Sequence, residues 1–134
     1  MQKQIEDFLQ SNHILTLATS SDNFPYVATC FYVFDKEAIA LIFASDKDTC
    51  HMRQALANPH VAVAIYLCTD KVGLIRGVQC KGRVLEATKS QKIIYYKAFP
   101  IAKAMHPSIW AIELDWVKMT DNRLGFGKKL TWIR

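Results

Sequence analysis

The stretch ILTLATSSDNFPYVATCFYVFDKEAIALIFAS, Ile14 to Ser45, carries the architecture. It holds three runs rich in β-branched and aromatic residues, ILTLATS, YVATCFYVF and IALIFAS, parted by the turn clusters SDNFP and DKEA. Such runs bounded by Gly, Pro, Asn, Asp and Ser read as strands. Connections this short join antiparallel neighbours, because a parallel pair needs a crossover of a dozen or more residues. The spacing predicts an antiparallel meander, with the middle run apolar on both faces and therefore central and buried.

Outward from this unit, Ile5, Phe8 and Leu9 stand at i, i+3 and i+4, the apolar stripe of a short N-terminal helix. After the meander a helix is predicted over 47–57. Ser45 or Asp46 caps it, Met52 and Leu56 form its apolar face, and Asn58-Pro59 stops it. VAVAIYL (61–67) is a fourth strand. LIRGVQCKGRVLEA (74–87) is a long fifth strand, in which Gly77 and Gly82 mark a bulge or bend. Thr88 caps a further helix whose face is set by Ile94, Tyr95, Ala98 and Phe99, and Pro100 opens a short helical turn through Met105. In IWAIELDWVKM (109–119), Trp110, Ile112, Leu114 and Trp116 alternate with Ala111, Glu113, Asp115 and Val117, so the first four are expected on one face. TDNRLGFG turns into a last short strand, KKLTWIR. The sum is one domain over 1–134, mainly β, a small closed barrel of six to seven antiparallel strands with Greek-key-like order and a few helices.

Composition excludes several classes. No apolar run approaches the roughly 20 residues that span a bilayer. The opening MQKQIEDFLQ is too polar for a signal peptide, which places the protein in the cytoplasm as an expectation. Cys30, Cys50, Cys68 and Cys80 form no C-x-x-C pair, and His13, His51, His60 and His106 no i, i+4 pair. Neither a metal site nor a disulfide framework is expected, and the thiols read as reduced and mostly buried in strands. The net charge of +5 is uneven: residues 1–70 hold four Lys/Arg against eight Asp/Glu, residues 71–103 eight against one, and residues 120–134 four against one. A basic second half suits an anionic partner. That partner could be a phosphate group, a nucleic acid or an acidic protein, and no recognised nucleic-acid motif supports the second.

Two segments carry candidate chemistry. In ASDKDTCHMRQAL, a strand end meets a helix start among Lys47, Thr49, His51 and Arg53, a hydroxyl and cations where helix N–H groups suit a phosphate. In LIRGVQCKGRV, strand alternation sets Arg76, Val78, Cys80 and Gly82 on one face and Gly77, Gln79, Lys81 and Arg83 on the other. Two cations and an amide on one strand face call for a ligand, a partner chain or solvent.

Taken in order, these segments resemble the FMN-binding split barrels of the pyridoxamine 5′-phosphate oxidase-like superfamily. They are most similar to a small bacterial subfamily sharing LIRGVQ-x-KG (Leu74–Gly82), FP-x-A (Phe99–Ala102), TDN-x-LGFGKK (Thr120–Lys129) and W-x-R (Trp132–Arg134). The resemblance covers essentially the whole chain. It implies an FMN-dependent oxidoreductase or flavin reductase acting on a small redox substrate, as a homodimer with the cofactor in the groove between subunits. The phosphate would lie near Lys47, Thr49, His51 and Arg53, with Arg76 in support. Gln79 and Lys81 would lie near the flavin, and Lys128 or Lys129 would supply a cation to it. Where many relatives read Ser-Arg-Lys, this chain reads Thr49-Cys50-His51, so the hydroxyl is kept and two cations are replaced. The arginine and histidine signature with which true pyridoxamine phosphate oxidases bind substrate is missing, so that reaction is not expected. The alternative is a split barrel that holds haem or another planar anion, with His13, His51 or His106 as axial ligand.

Overall fold

The computed structural model describes residues 1–134. Seven strands, three α-helices and three short 3₁₀ turns follow the expected order. They are α1 (Lys3–Ser11), β1 (Ile14–Ser21), β2 (Phe24–Asp35), β3 (Ala40–Ala44), α2 (Cys50–Ala57), β4 (His60–Tyr66), β5 (Arg76–Glu86), α3 (Lys89–Ala98), β6 (Ile109–Asp121) and β7 (Lys129–Ile133). The sheet runs β3-β2-β1-β4-β5-β6-β7, every pairing is antiparallel, and β3 also pairs with β6. Strands β1 to β6 therefore close a six-stranded barrel, with β7 as an extra strand on β6. The meander β1-β2-β3, with β4 returning across α2 to lie beside β1, is the Greek-key order.

Alternate residues of each strand fill the barrel: Leu15 and Leu17, Tyr32 and Phe34, Leu41 and Phe43, Val63 and Ile65, Val78 and Cys80. Helix α1 closes one end with Ile5, Phe8 and Leu9, as its spacing required, and Tyr32 Oη donates to Leu9 O at 2.9 Å. Helix α2 covers the other end. Gln54 Oε1 accepts from Thr19 Oγ1 at 2.8 Å and Asn58 Nδ2 donates to Ser20 O at 3.0 Å, which tie it to the end of β1. Helix α3 packs outside on β3, where Ala40 and Ile42 meet Ala87 and Tyr95 in a second cluster. Thr88 caps α3 as expected, in a full capping box with Gln91.

Several expectations need correction. Strand β2 is buried on one face only, and only over its second half: Cys30, Tyr32 and Phe34 face the core, Val27 and Phe31 are exposed on the outer face, and Tyr26 is exposed at the start of the strand on the inner one. Helix α2 begins at Cys50, not near Lys47. Its cap is Thr49, whose Oγ1 accepts from Met52 N at 3.3 Å, while Asp46 closes the preceding turn by accepting from Asp48 N. The buried face of α2 is Met52 and Ala55, with Leu56 turned to solvent. On α3 the buried residues are Gln91 and Tyr95, and Ala98 is exposed. Only two cysteines, Cys30 and Cys80, are buried in strands; Cys50 opens α2 and Cys68 is exposed in a loop.

The correction that shapes the site is in β6. Lys81 pairs with Trp116 but Gly82 pairs with Leu114, so Asp115 is an extra residue, a β-bulge. The bulge shifts the alternation by one. Ile112 and Leu114 point inward, and beyond the bulge Val117 and Met119 point inward too. Trp116, expected on the face of Ile112 and Leu114, is turned outward instead. Gly82 is the counterpart on β5: a Cβ there would lie 2.2 Å from Glu113 O, closer than any side chain permits.

Candidate functional site

With β6 in this phase, the outer surface of five strands is contiguous. From β1 come Thr16 and Ala18, from β4 Ala62 and Ala64, from β5 Gln79 and Lys81, from β6 Trp116 and Lys118, and from β7 Lys129, Thr131 and Ile133, with each pair set by the strand register. Two adjoining depressions of about 530 and 420 Å³ lie on this face and share Ala18, Ala62, Lys81 and Trp116. Their size is that of a small-molecule site. The first runs toward the α2 end past Ser20, Pro25 and His60; the second is floored by Thr16, Val27, Val63 and Ala64 and flanked by Gln79. Its floor side chains are short, being alanine, threonine and valine. Apolar side chains around it stand open: Val27 is 63% exposed and Tyr66 68%.

The cations on this face are unusual in their partners. Lys81 Nζ lies 5.3 Å and Lys118 Nζ 5.7 Å from the centroid of the Trp116 ring, within cation–π range. Lys129 Nζ donates to Thr120 Oγ1 at 3.0 Å. Arg83, one pair further along β5, faces Glu113 and Asp115, each at 3.9 Å.

The structure sorts the sequence candidates. Gln79, Lys81 and Lys129 fall on the outer face. Lys128 precedes β7, in the turn closed by its N–H to Gly125 O, so of the two adjacent lysines it is Lys129 that joins the sheet face. Arg76 leaves the group. Its Nε pairs with Asp121 at 3.1 Å and its guanidinium lies 5.5 Å from the Phe8 ring, at the α1 end, across the barrel from α2. At the start of α2, His51 is not a free cation. Its Nε2 lies 2.6 Å from Ser45 Oγ and 3.2 Å from Thr49 Oγ1, and partial burial pushes its pKa below the ordinary histidine value. Lys47 is exposed and sits beside Tyr96 and Trp110 on the α3 side. Arg53 is the cation that α2 carries toward the groove's end, in a shallow depression with Ser21, Phe24 and Gln54.

Among the histidines, His13 packs edge-on against Phe99 and His106 ends a 3₁₀ turn at φ 47°, while His51 is bonded as above. None of these three lines the groove, whereas His60 does. Sequence reasoning missed Trp116 and Lys118. Both owe their outward direction to the bulge, and the only hint in the chain is the glycine at 82 opposite it.

A family model described as pyridoxamine 5′-phosphate oxidase matches residues 1–120. UPF0306 proteins of Yersinia pestis (strain Angola) and Yersinia pseudotuberculosis (serotype O:3, strain YPIII) are each 38% identical, over 97% of this chain and 91% of theirs. Among solved structures, a haem-binding protein from Mycobacterium smegmatis superposes with a TM-score of 0.77 at 16% identity, over 99% of this chain and 59% of that one. An FAD-binding protein from Mesorhizobium loti gives 0.70 at 18%, over 85% and 87%. At such identities the two structures establish the fold alone.

Proposed function

The chain belongs to the UPF0306 family, within the pyridoxamine 5′-phosphate oxidase-like split barrels, and from that premise we propose that it is a homodimeric FMN-binding oxidoreductase or flavin reductase. The observation that carries the reading is the outer groove: a floor of the short side chains Thr16, Ala18, Ala62 and Ala64 beside an amide and a lysine that makes no ion pair. A planar tricycle suits such a floor, and the donor set suits a flavin. Gln79 can both donate to and accept from a ring edge that presents both kinds of group, and Lys81 offers positive charge there. For the phosphate, Arg53 is the free cation at the α2 end. Neutral His51, bonded to two hydroxyls, holds Ser45 and Thr49 in place instead of contributing charge.

FMN supplies hydride or electron transfer when bound, and the protein supplies binding, orientation and local charge. Gln79 fixes the ring laterally. Lys81 stabilises negative charge that develops on the ring edge, which favours reduction. The exposed Val27, Ile14, Phe31 and Tyr66 around the floor form a surface for a second copy, which would exclude water from the groove. The reading predicts micromolar FMN binding with quenching of flavin fluorescence, weakened roughly tenfold or more by Gln79→Leu, on the scale of one lost buried hydrogen bond. Protein that is colourless as purified and leaves FMN fluorescence unchanged at micromolar concentration refutes it.

A further inference from the structure

Every arginine of the sheet is matched to an acid: Arg76 and Arg123 to Asp121, Arg83 to Glu113 and Asp115, and Arg134 to Glu113. Three lysines on the outer face are not. Lys81, Lys118 and Lys129 make no ion pair, and the register sets them one strand apart, each displaced by two residues from the last. They form a diagonal strip from the middle of the groove to β7. Diagonal neighbours on a sheet stand about 7–8 Å apart, within reach of long side chains. The Trp116 ring centroid lies 5.3 Å from Lys81 Nζ and 5.7 Å from Lys118 Nζ. Asp115 lines the groove with Lys81 but is engaged by Arg83 at 3.9 Å, and Asp121 is buried on the inner face and bonded to two arginines. The three lysines make no ion pair, and like charges in line repel one another.

We infer that the part of the strip beyond the groove, Lys118 and Lys129 with Trp116 at its border, is a second subsite for the phosphoryl groups of a pyrophosphate-bearing reactant, while Lys81 belongs to the flavin edge. Lysine is an established phosphate binder, acting as a point charge that rotates to meet tetrahedral oxyanions. Two ammonium groups on adjacent strands suit an anion with more than one charged centre. The inference rests on the flavin reading for the identity of what lies in the adjoining groove, and names the class of molecule that exchanges electrons with it: a nucleotide carrying a pyrophosphate. The strip itself stands on the lysines alone.

The test is a calorimetric titration of the full-length protein with inorganic pyrophosphate at low ionic strength, without FMN and after saturation with FMN. Orthophosphate and succinate serve as comparison anions. Tryptophan emission, with Trp116→Phe as reference, locates the event. The expected result is pyrophosphate binding in both forms, tighter than either comparison anion, with emission changes lost in Trp116→Phe. Lys118→Met and Lys129→Met are each expected to weaken it about tenfold, and higher salt to weaken it further. Lys129 is exposed and Lys118 half-buried on the outer sheet face, and thermal unfolding of each variant confirms the fold. Absence of binding, indifference to both substitutions, or a preference for succinate would overturn the inference. So would pyrophosphate displacing FMN, because the strip would then be the flavin's own phosphate site. If FMN fails to bind while pyrophosphate does, the flavin reading falls and the subsite stands.

Discussion

Replacing Gly82 by alanine tests the feature on which the outer face depends. The added Cβ would sit 2.2 Å from Glu113 O, 3.0 Å from Glu113 C and 3.1 Å from Ile112 Cγ2. To reach even 3.0 Å from the carbonyl oxygen, the two strands must part by 3.0 − 2.2 = 0.8 Å. Both contacts to Glu113 are backbone in a hydrogen-bonded ladder, so neither can rotate away. Overpacking costs about 1–3 kcal/mol, and rigid backbone puts this site at about 3. The alanine also narrows the unfolded ensemble, which returns about 0.4–1 kcal/mol. The net expectation is a loss of about 2 kcal/mol, a large share of the roughly 5–15 kcal/mol that holds a domain folded. Urea unfolding followed by circular dichroism measures it. Gly77→Ala, whose Cβ would lie 2.8 Å from Ile65 O, should lose less, and Gly73→Ala, with open space around it, should lose nothing. The strain also falls on the bulge that turns Trp116 and Lys118 outward, so Gly82→Ala should weaken ligand binding on the outer face beyond its effect on stability. If Gly82→Ala unfolds at the same urea concentration as Gly73→Ala, the account of the β5–β6 crossing is wrong.

Three further outcomes are expected. Thr49→Ala removes the α2 cap and one partner of His51, and should cost about 1 kcal/mol by the same urea assay. Because burial holds the His51 pKa below its unfolded value, the folded state binds fewer protons. Its contribution is complete above the ordinary histidine pKa and is lost as pH falls below it, so melting temperature should fall more from pH 7.5 to 5 in the wild type than in His51→Asn. Asp121→Asn removes the carboxylate shared by Arg123 and Arg76, whose hydrogen bonds and charges hold its pKa below the usual carboxylate value. It should destabilise by about 1–3 kcal/mol. It should also speed hydrogen exchange at the Asn122 N–H, which is bonded to Ile75 O.

Much of the barrel was legible in the chain. Short polar turns between apolar runs allow only antiparallel neighbours, and α1 announced its buried face through Ile5, Phe8 and Leu9. Strand alternation also placed Gln79 and Lys81 opposite Val78 and Cys80. These are local signals: they depend on the spacing of a few residues and on backbone sterics. Motif resemblance added the family, and with it the expectation of a flavin. Three things lay beyond such signals because each depends on how one strand pairs with another or on a contact between distant elements. The bulge at Asp115 is set by how β5 crosses β6, and it reverses the face of Trp116 and Lys118. Arg76 was withdrawn from the candidate site by Asp121, 45 positions away, and by Phe8 of α1. Lys129 was chosen over Lys128 by the point at which β7 begins to pair with β6. Periodicity along the chain fixes which residues alternate. Pairing between strands fixes where the alternation slips, and on this protein that slip determines which side chains face a ligand.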